Sequence, residues 1–235
     1  MTARLLIYCE GQTEEMFVER VLRNYLALAG VKVERPILAA TTLSASCQRG
    51  GFANWDAIVA DLGRLFDSDA DPNLRFTTLL DIYRMPKKVF DLATLQHAPS
   101  TPAEVATVES AVEQSLGETR FKAYFQRHEF EALVLADGEA VRRVFHRERA
   151  RVAQLISDVA GFATAEDINH GNSTHPAARL ENAVPGYGAL KASNALFVLA
   201  EADMAVVRGR CPRFNEWLAH WEQWGNSSLR TPHHG

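Results

Sequence analysis

Apolar residues run without a break from Leu5 to Cys9 and stop abruptly at Glu10. A short, continuous apolar run closed by a turn signal reads as a strand buried on both faces. Gly11 is the expected turn, and Phe17, Val21, Leu22 and Leu28 then recur at helical spacing, which predicts a helix from about Thr13 to Ala29 with Thr13 as its cap. VKVERPILAATT is a second extended run, and NWDAIVADLGRLF past Gly50 and Gly51 is a second amphipathic helix, capped by Asn54. RFTTLLDIY gives a third strand limited by Pro86, Pro102 to Leu116 has helical character, and RFKAYFQRH gives a fourth strand. Strands alternating with helices predict an α/β fold with a parallel sheet flanked by helices over residues 1–137.

Beyond Asp137 the pattern changes. EFEALVLADGEAVRRVF begins a helix, and residues 138–235 offer only helical stretches, with loops around His170 to His175 and Pro185 to Gly188. This half is expected to be a mostly α-helical subdomain packed on the sheet through Phe197 to Met204 and Phe214 to Trp224, with SSLRTPHHG as a disordered tail.

Composition narrows the function classes. A chain of 235 residues, 47% hydrophobic and 23% charged, can bury one sizeable core. No apolar run approaches the roughly 20 residues that span a bilayer, and LLIYC is too short for a signal peptide, so a cytoplasmic protein without membrane contact is expected. Cys9, Cys47 and Cys211 are far apart and never form C-x-x-C, which fits reduced thiols. A formal net charge of −4 argues against coating nucleic acid unaided, because such binding draws on many Lys and Arg contacts. The basic stretch RRVFHRERAR still offers either a phosphate-contacting helix or a solvated face. No phosphate loop of the Walker type and no nucleophile elbow is present, so energy coupling would fall to another protein.

The chemistry lies in acidic residues at the ends of strands. Glu10 closes the first strand, Glu14 opens the following helix, Asp81 follows TTLL, and Glu129 and Glu131 sit in QRHEFEAL. Ligands of open α/β sheets bind outside the carboxyl ends of strands, and Mg2+ or Mn2+ prefers such oxygen donors. Each has a plainer reading: helix capping for Glu14, a turn residue for Asp81, and a solvated charge for Glu129 or Glu131 if the helix has already begun there. His128 fits a supporting or phosphate-contacting role, and Arg179 and Lys191 could reach substrate phosphates. His170 and His175 lack the partners of a zinc site.

CEGQTEE, with the acids that follow it, resembles the Toprim fold of primases, topoisomerases and OLD-type nucleases. EGQTE, LLDIYRMP, HEFEAL, PAARL and CPRFNEWL together resemble a bacterial Toprim-like family of unknown function whose genes often lie near ATPases and defence modules. The resemblance spans nearly the whole chain. It implies Glu10 as the central acid or metal ligand, Asp81 as the first acid of the second motif, and Glu129 with Glu131 as the third acidic cluster. The second Toprim motif is normally Asp-x-Asp, and here it reads Asp81-Ile82-Tyr83.

The expectation is a Mg2+- or Mn2+-dependent nuclease acting on DNA or RNA, with Glu10, Asp81, Glu129 and Glu131 catalytic, Glu14 joining them on the metal, and an ATPase partner. Homo-oligomerisation stays open. The alternatives are a non-catalytic Toprim-like module that binds nucleic acid or an ATPase, and metal-dependent nucleotidyl transfer.

Overall fold

The computed structural model describes residues 2–39, 55–168, 171 and 173–230. Strand β1 (Ala3–Cys9) leads into helix α1 (Gln12–Phe17), a π-helical turn (Val18–Leu22) and α2 (Arg23–Ala27). Next come β2 (Val31–Val33), β3 (Ile37–Leu38), α3 (Trp55–Ser68), β4 (Leu74–Asp81), a 3-10 turn (Ile82–Arg84), α4 (Lys87–Leu92) and α5 (Pro102–Leu116). Strands β5 (Phe121–Lys122) and β6 (Phe125–Gln126) complete the sheet. Helices α6 (Glu131–Ala136), α7 (Gly138–Val144), α8 (Arg149–Val159), α9 (Pro176–Ala183), α10 (Lys191–Glu201), α11 (Met204–Arg210) and α12 (Pro212–Arg230) follow. The chain is an α/β protein with a parallel six-stranded sheet and a helical C-terminal part.

Every strand pairing is parallel, in the order β2-β1-β4-β5, with β3 also on β1 and β6 also on β4. Alternate side chains of β1 and β4 supply the two cores, as a period of two demands. Leu5, Ile7, Cys9 and Leu79 join a core with α1, α2 and the C-terminal helices, whereas Tyr8, Phe76 and Leu80 face α3, α4 and α5. Helix α12 is tied to the central strand by Trp217, whose Nε1 donates to Thr77 Oγ1 at 2.9 Å and whose ring stacks on Tyr124 at 5.0 Å. Gly225 lets this helix approach β2: a Cβ there would lie 2.3 Å from the Ala29 carbonyl oxygen. Phe214, Trp217 and Trp221 are thus core residues, while Phe197 is exposed.

Several sequence expectations need local correction. Thr13 does not cap the first helix; Gly11 is its N-cap, and the Glu14 carboxylate accepts the Gly11 N–H at 3.0 Å. Gly11 has an extended backbone open to any residue, so no left-handed turn demands glycine there. The second and fourth extended runs are each split in two. In the fourth, the Thr78 hydroxyl takes over the ladder, accepting from Tyr124 N and donating to Tyr124 O, both at 2.9 Å. The outer edge is blunted by α5, since Ala123 N donates to Glu113 and Phe125 N to Glu109. The helix expected from EFEAL to VRRVF breaks at Asp137, whose carboxylate accepts from Glu139 N and Ala140 N and so starts α7. The Ser227–Arg230 part of the expected disordered tail is helical. Gly50, Gly51, the Asn54 cap, Cys47, His170 and the last five residues lie outside the described residues, and Cys9 and Cys211 are buried free thiols. Among the described residues no helix is long and apolar enough to cross a membrane.

Candidate active site at the carboxyl edge of the sheet

Parallel strands β1, β4 and β6 all end at the same edge, and this common direction gathers the acids. Glu10 follows β1, and its Oε2 accepts the Asp81 backbone N–H at 3.0 Å, joining the ends of the two central strands directly. Asp81 is the last residue of β4 and is buried. Glu14 is buried in the first turn of α1. Its bond to Gly11 N makes the capping reading correct, and its position puts the same carboxylate into the cluster.

The chain turns into the third acidic cluster through His128, whose φ of 63° is sparsely populated by residues other than glycine. Helix α6 starts at Glu131, so the Glu129–Glu131 pair straddles a helix boundary. Neither acid is the solvated charge that a helix would leave outside, for Glu129 is 2% and Glu131 0% exposed. Glu129 is well provided with donors: Tyr83 Oη donates to its Oε1 at 3.0 Å, and Ala177 N donates to its Oε2 at 2.9 Å. His175 Nδ1 lies 2.9 Å from that Oε2 and 3.3 Å from Ala178 N. One ring nitrogen cannot donate to the first and accept from the second in the same state; the shorter contact favours a proton on Nδ1 shared with Glu129.

Glu131 is different. Its Oε1 meets Lys191 Nζ at 2.9 Å as an ion pair, while its buried Oε2 has no hydrogen-bond partner. Lys191, at the start of α10, also faces the charges of Asp81 and Glu14. Burial pulls its pKa down, but Glu131 and Asp81 outweigh it and hold the ammonium above its ordinary value.

The cluster carries more negative charge than these cations offset. Burial raises the Glu10 carboxyl, with the Asp81 N–H and Arg84 opposing. Burial and the adjacent Glu10 charge push Glu14 up to about 7 and Asp81 well above its usual value. Glu131 is raised by burial against the pull of Lys191. Glu129 alone goes down: burial pushes it up, but the Ala177 N–H and His175 prevail. Displaced carboxyl pKa values gathered at a strand edge mark a candidate functional site.

The donor set fits a hard divalent cation in chemistry: only carboxylate oxygens, excess negative charge and one orphaned buried oxygen. As they stand, no three His, Cys, Asp or Glu side chains among the described residues form a coordination set, and Lys191 supplies positive charge in their midst.

The structure therefore brings Glu10, Glu14, Asp81, Glu129, Glu131 and Lys191 together. Arg179 stands apart: its Nε donates to Thr174 O, its guanidinium lies over the Phe162 ring, and it lines a cleft with Arg151, Gln154 and Asp158. His128 is half-buried at the turn before Glu129. In the basic stretch, Arg142 pairs with Glu139 and Arg143 with Glu201.

Sequence reasoning missed Arg84 and the contact of His175 with Glu129. Arg84 Nη1 lies 3.3 Å from Glu10 Oε1, and its Nε donates to Tyr83 Oη at 2.6 Å. His175 precedes Pro176 as the N-cap of α9 and lies against Glu129. A polar residue before a proline that opens a helix was the available signal.

The family described as "Domain of unknown function (DUF4276)" matches residues 9–222, and the chain belongs to it. No curated protein and no solved structure matched the chain.

Proposed function

We propose that this member of the DUF4276 family is a divalent-metal-dependent nuclease that hydrolyses phosphodiester bonds in DNA or RNA, in a bacterial defence module with an ATPase partner. The observation that carries the catalytic part is the gathering of Glu10, Glu14, Asp81, Glu129 and Glu131 at one sheet edge, with a buried Glu131 oxygen that nothing satisfies. The substrate class rests on the resemblance to Toprim proteins, and the ATPase and the defence setting on the resemblance to the bacterial Toprim-like family.

Asp81, Glu131 and Glu14 would hold Mg2+ or Mn2+, with Glu10 and Glu129 beside them. The bound ion supplies Lewis acidity and a lowered pKa for water. Glu10, raised by burial, is suited to accept the proton of the attacking water. Arg84 and Lys191 are the cations that can meet a phosphate at this edge, and Arg179 would serve only a strand running on to the α8–α9 cleft.

The test compares wild type with Glu10→Gln and Asp81→Asn on DNA and RNA substrates with Mn2+, and in a cellular phage-challenge assay that supplies the partner. Expected is a loss of at least about a hundredfold in both variants, the scale of removing a catalytic acid–base group. Full activity of both would refute the mechanism.

A second reading has its own support. Tyr83 stands where a second Asp is usual, and Lys191 already places a cation among the acids. Both suit a non-catalytic module that binds nucleic acid or the ATPase. Binding unaffected by Mn2+ and by Asp81→Asn, without cleavage, would favour it.

A further inference from the structure

Aromatic rings and cations meet at the opposite end of the sheet from the acids. Beside β5 and the start of β4, a cleft of about 320 Å3 is lined by Trp221, Trp224, His220, Phe121, Arg75 and Lys122. Arg75 is the second residue of β4 and Asp81 its last, so about 20 Å of strand separates the cleft from the candidate active site. The rings hold one another edge to face: Trp224 meets Trp221 at 5.9 Å and 80°, and His220 meets Trp221 at 4.6 Å and 81°. The Arg75 guanidinium lies over the Trp224 ring, 5.4 Å from its centroid, and its Nη1 donates to Pro72 O and Leu74 O. Arg120, which also lines the cleft, is committed to Glu118, Asp69 O and Phe66 O. Lys122 is held more loosely: its Nζ lies 3.9 Å from a Glu113 oxygen that already accepts Ala123 N at 2.9 Å, and its side chain is 41% exposed. Trp217, one turn before Trp221, donates its indole N–H to Thr77, whereas Trp221 Nε1 is buried without a partner, so the wall of the cleft contains an unmet donor.

From these rings and cations we infer that the cleft is a binding site for single-stranded nucleic acid, remote from the acids, in which a base stacks against the Arg75–Trp224 pair and a backbone phosphate meets Lys122. The inference goes beyond the nuclease reading and does not rest on it, because binding here needs neither metal nor turnover. Bases stack on aromatic rings and on guanidinium planes whatever their sequence, since every base has a π-face. In a duplex those faces are covered by the neighbouring pairs, so the cleft selects unpaired strands. Its volume is at the lower end for ligand clefts and admits one flat base rather than a folded segment of protein. Stacking also reconciles a nucleic-acid contact with the formal net charge of −4, because it draws on few cations.

The test is fluorescence anisotropy of labelled oligonucleotides about 12 nucleotides long, as single-stranded DNA, single-stranded RNA and duplex DNA, titrated with the full chain in EDTA. Wild type is expected to bind the single strands more tightly than the duplex. Trp224→Leu should weaken single-strand binding at least about fivefold, the scale of losing one stacked base. Lys122→Gln should make the fall of log affinity with log salt shallower by about 0.7, the share of one phosphate contact on a single strand, a change that damage to the fold would not produce. Melting curves show whether Trp224→Leu folds; if it does not, the charge reversal Lys122→Glu at a half-exposed side chain decides, with a loss of at least about fivefold expected. Wild-type affinity and salt dependence in all these variants would overturn the proposal, as would a duplex bound as tightly as the single strands. A wild-type chain that ignores every oligonucleotide but binds a polyglutamate peptide, with that binding lost in Lys122→Glu, would also overturn it and give the cleft to an acidic protein surface.

Discussion

Two regions of this molecule bury acids, and they do it in opposite ways. At the start of α12, Glu166 accepts Arg213 N at 3.0 Å and Phe214 N at 3.1 Å, and Glu109 accepts from Arg213 Nη2 at 2.6 Å and Phe125 N at 2.8 Å. Each carboxylate there is matched to donors that the fold itself leaves over: the free N–H groups of a helix start and of a strand edge. At the sheet edge, Glu131 is as deeply buried yet keeps an oxygen without a donor, and Glu14 and Asp81 crowd it with like charge. Burying an acid holds a fold together only when its hydrogen bonds are made; left unmade, the burial costs stability that the fold must supply elsewhere. Glu166 has donors for both of its oxygens, whereas Glu131 has Lys191 on one and no donor on the other, so its burial adds less to stability.

The sharpest way to break this comparison is to remove one acid from each region. Glu166→Ala strands two buried backbone N–H groups at the start of α12 and unfastens that helix start from the chain around residue 166, and should cost about 3 to 5 kcal/mol in denaturant unfolding. Asp81→Asn removes a crowded charge while keeping shape, and without metal at pH 8 should leave the protein as stable as wild type or more so. Equal losses in the two variants would show that both acids are structural.

The next effect is on pH. Burial and Glu10 raise Glu14 from 4.5 to about 7 in the folded protein. The folded state then holds this proton more tightly than the unfolded chain, so the contribution to stability is full below about 4.5 and is lost as pH rises through about 7. Thermal melts of the metal-free protein should fall between pH 5 and pH 8 by the equivalent of roughly 2 to 3 kcal/mol, at about 1.4 kcal/mol per pKa unit. Mn2+ should restore stability at pH 8, and Glu14→Gln should flatten the profile. A melting temperature that rises over this window in the metal-free protein would contradict the crowding of the cluster.

What the sequence made legible follows the same contrast. β1, β4 and α5 could be read because their signals are local; the Thr101 cap with Glu104 three residues on was a further local signal that the sequence reading left unused. The acids could be read because a charge ending an apolar run is visible in one dimension. The break at Tyr124 could not, since the Thr78 hydroxyl that rewrites the ladder comes from 46 residues away. Nor could the π-helical turn at Val18–Leu22, where the apolar spacing continues through it. His175 likewise reaches Glu129 across 46 residues, and Arg84 has meaning only once β1 and β4 lie side by side.

The smallest effect concerns Lys191, whose ammonium meets Glu131 at 2.9 Å and shares the charges of Asp81 and Glu14. A bound divalent cation would have to share those same oxygens with it, so the lysine lowers metal affinity while it offsets the acids in the metal-free state. Lys191→Met keeps the length and apolar stem and removes the charge. It should tighten Mn2+ binding by about tenfold in calorimetry, equivalent to about 1.4 kcal/mol, and lower the melting temperature of the metal-free protein at pH 8. The two changes have opposite sign, which separates competition from simple damage to the fold. Weaker Mn2+ binding together with a lower melting temperature would mean that Lys191 builds the site rather than competing for it, and the unmatched charge at the sheet edge would then need another explanation.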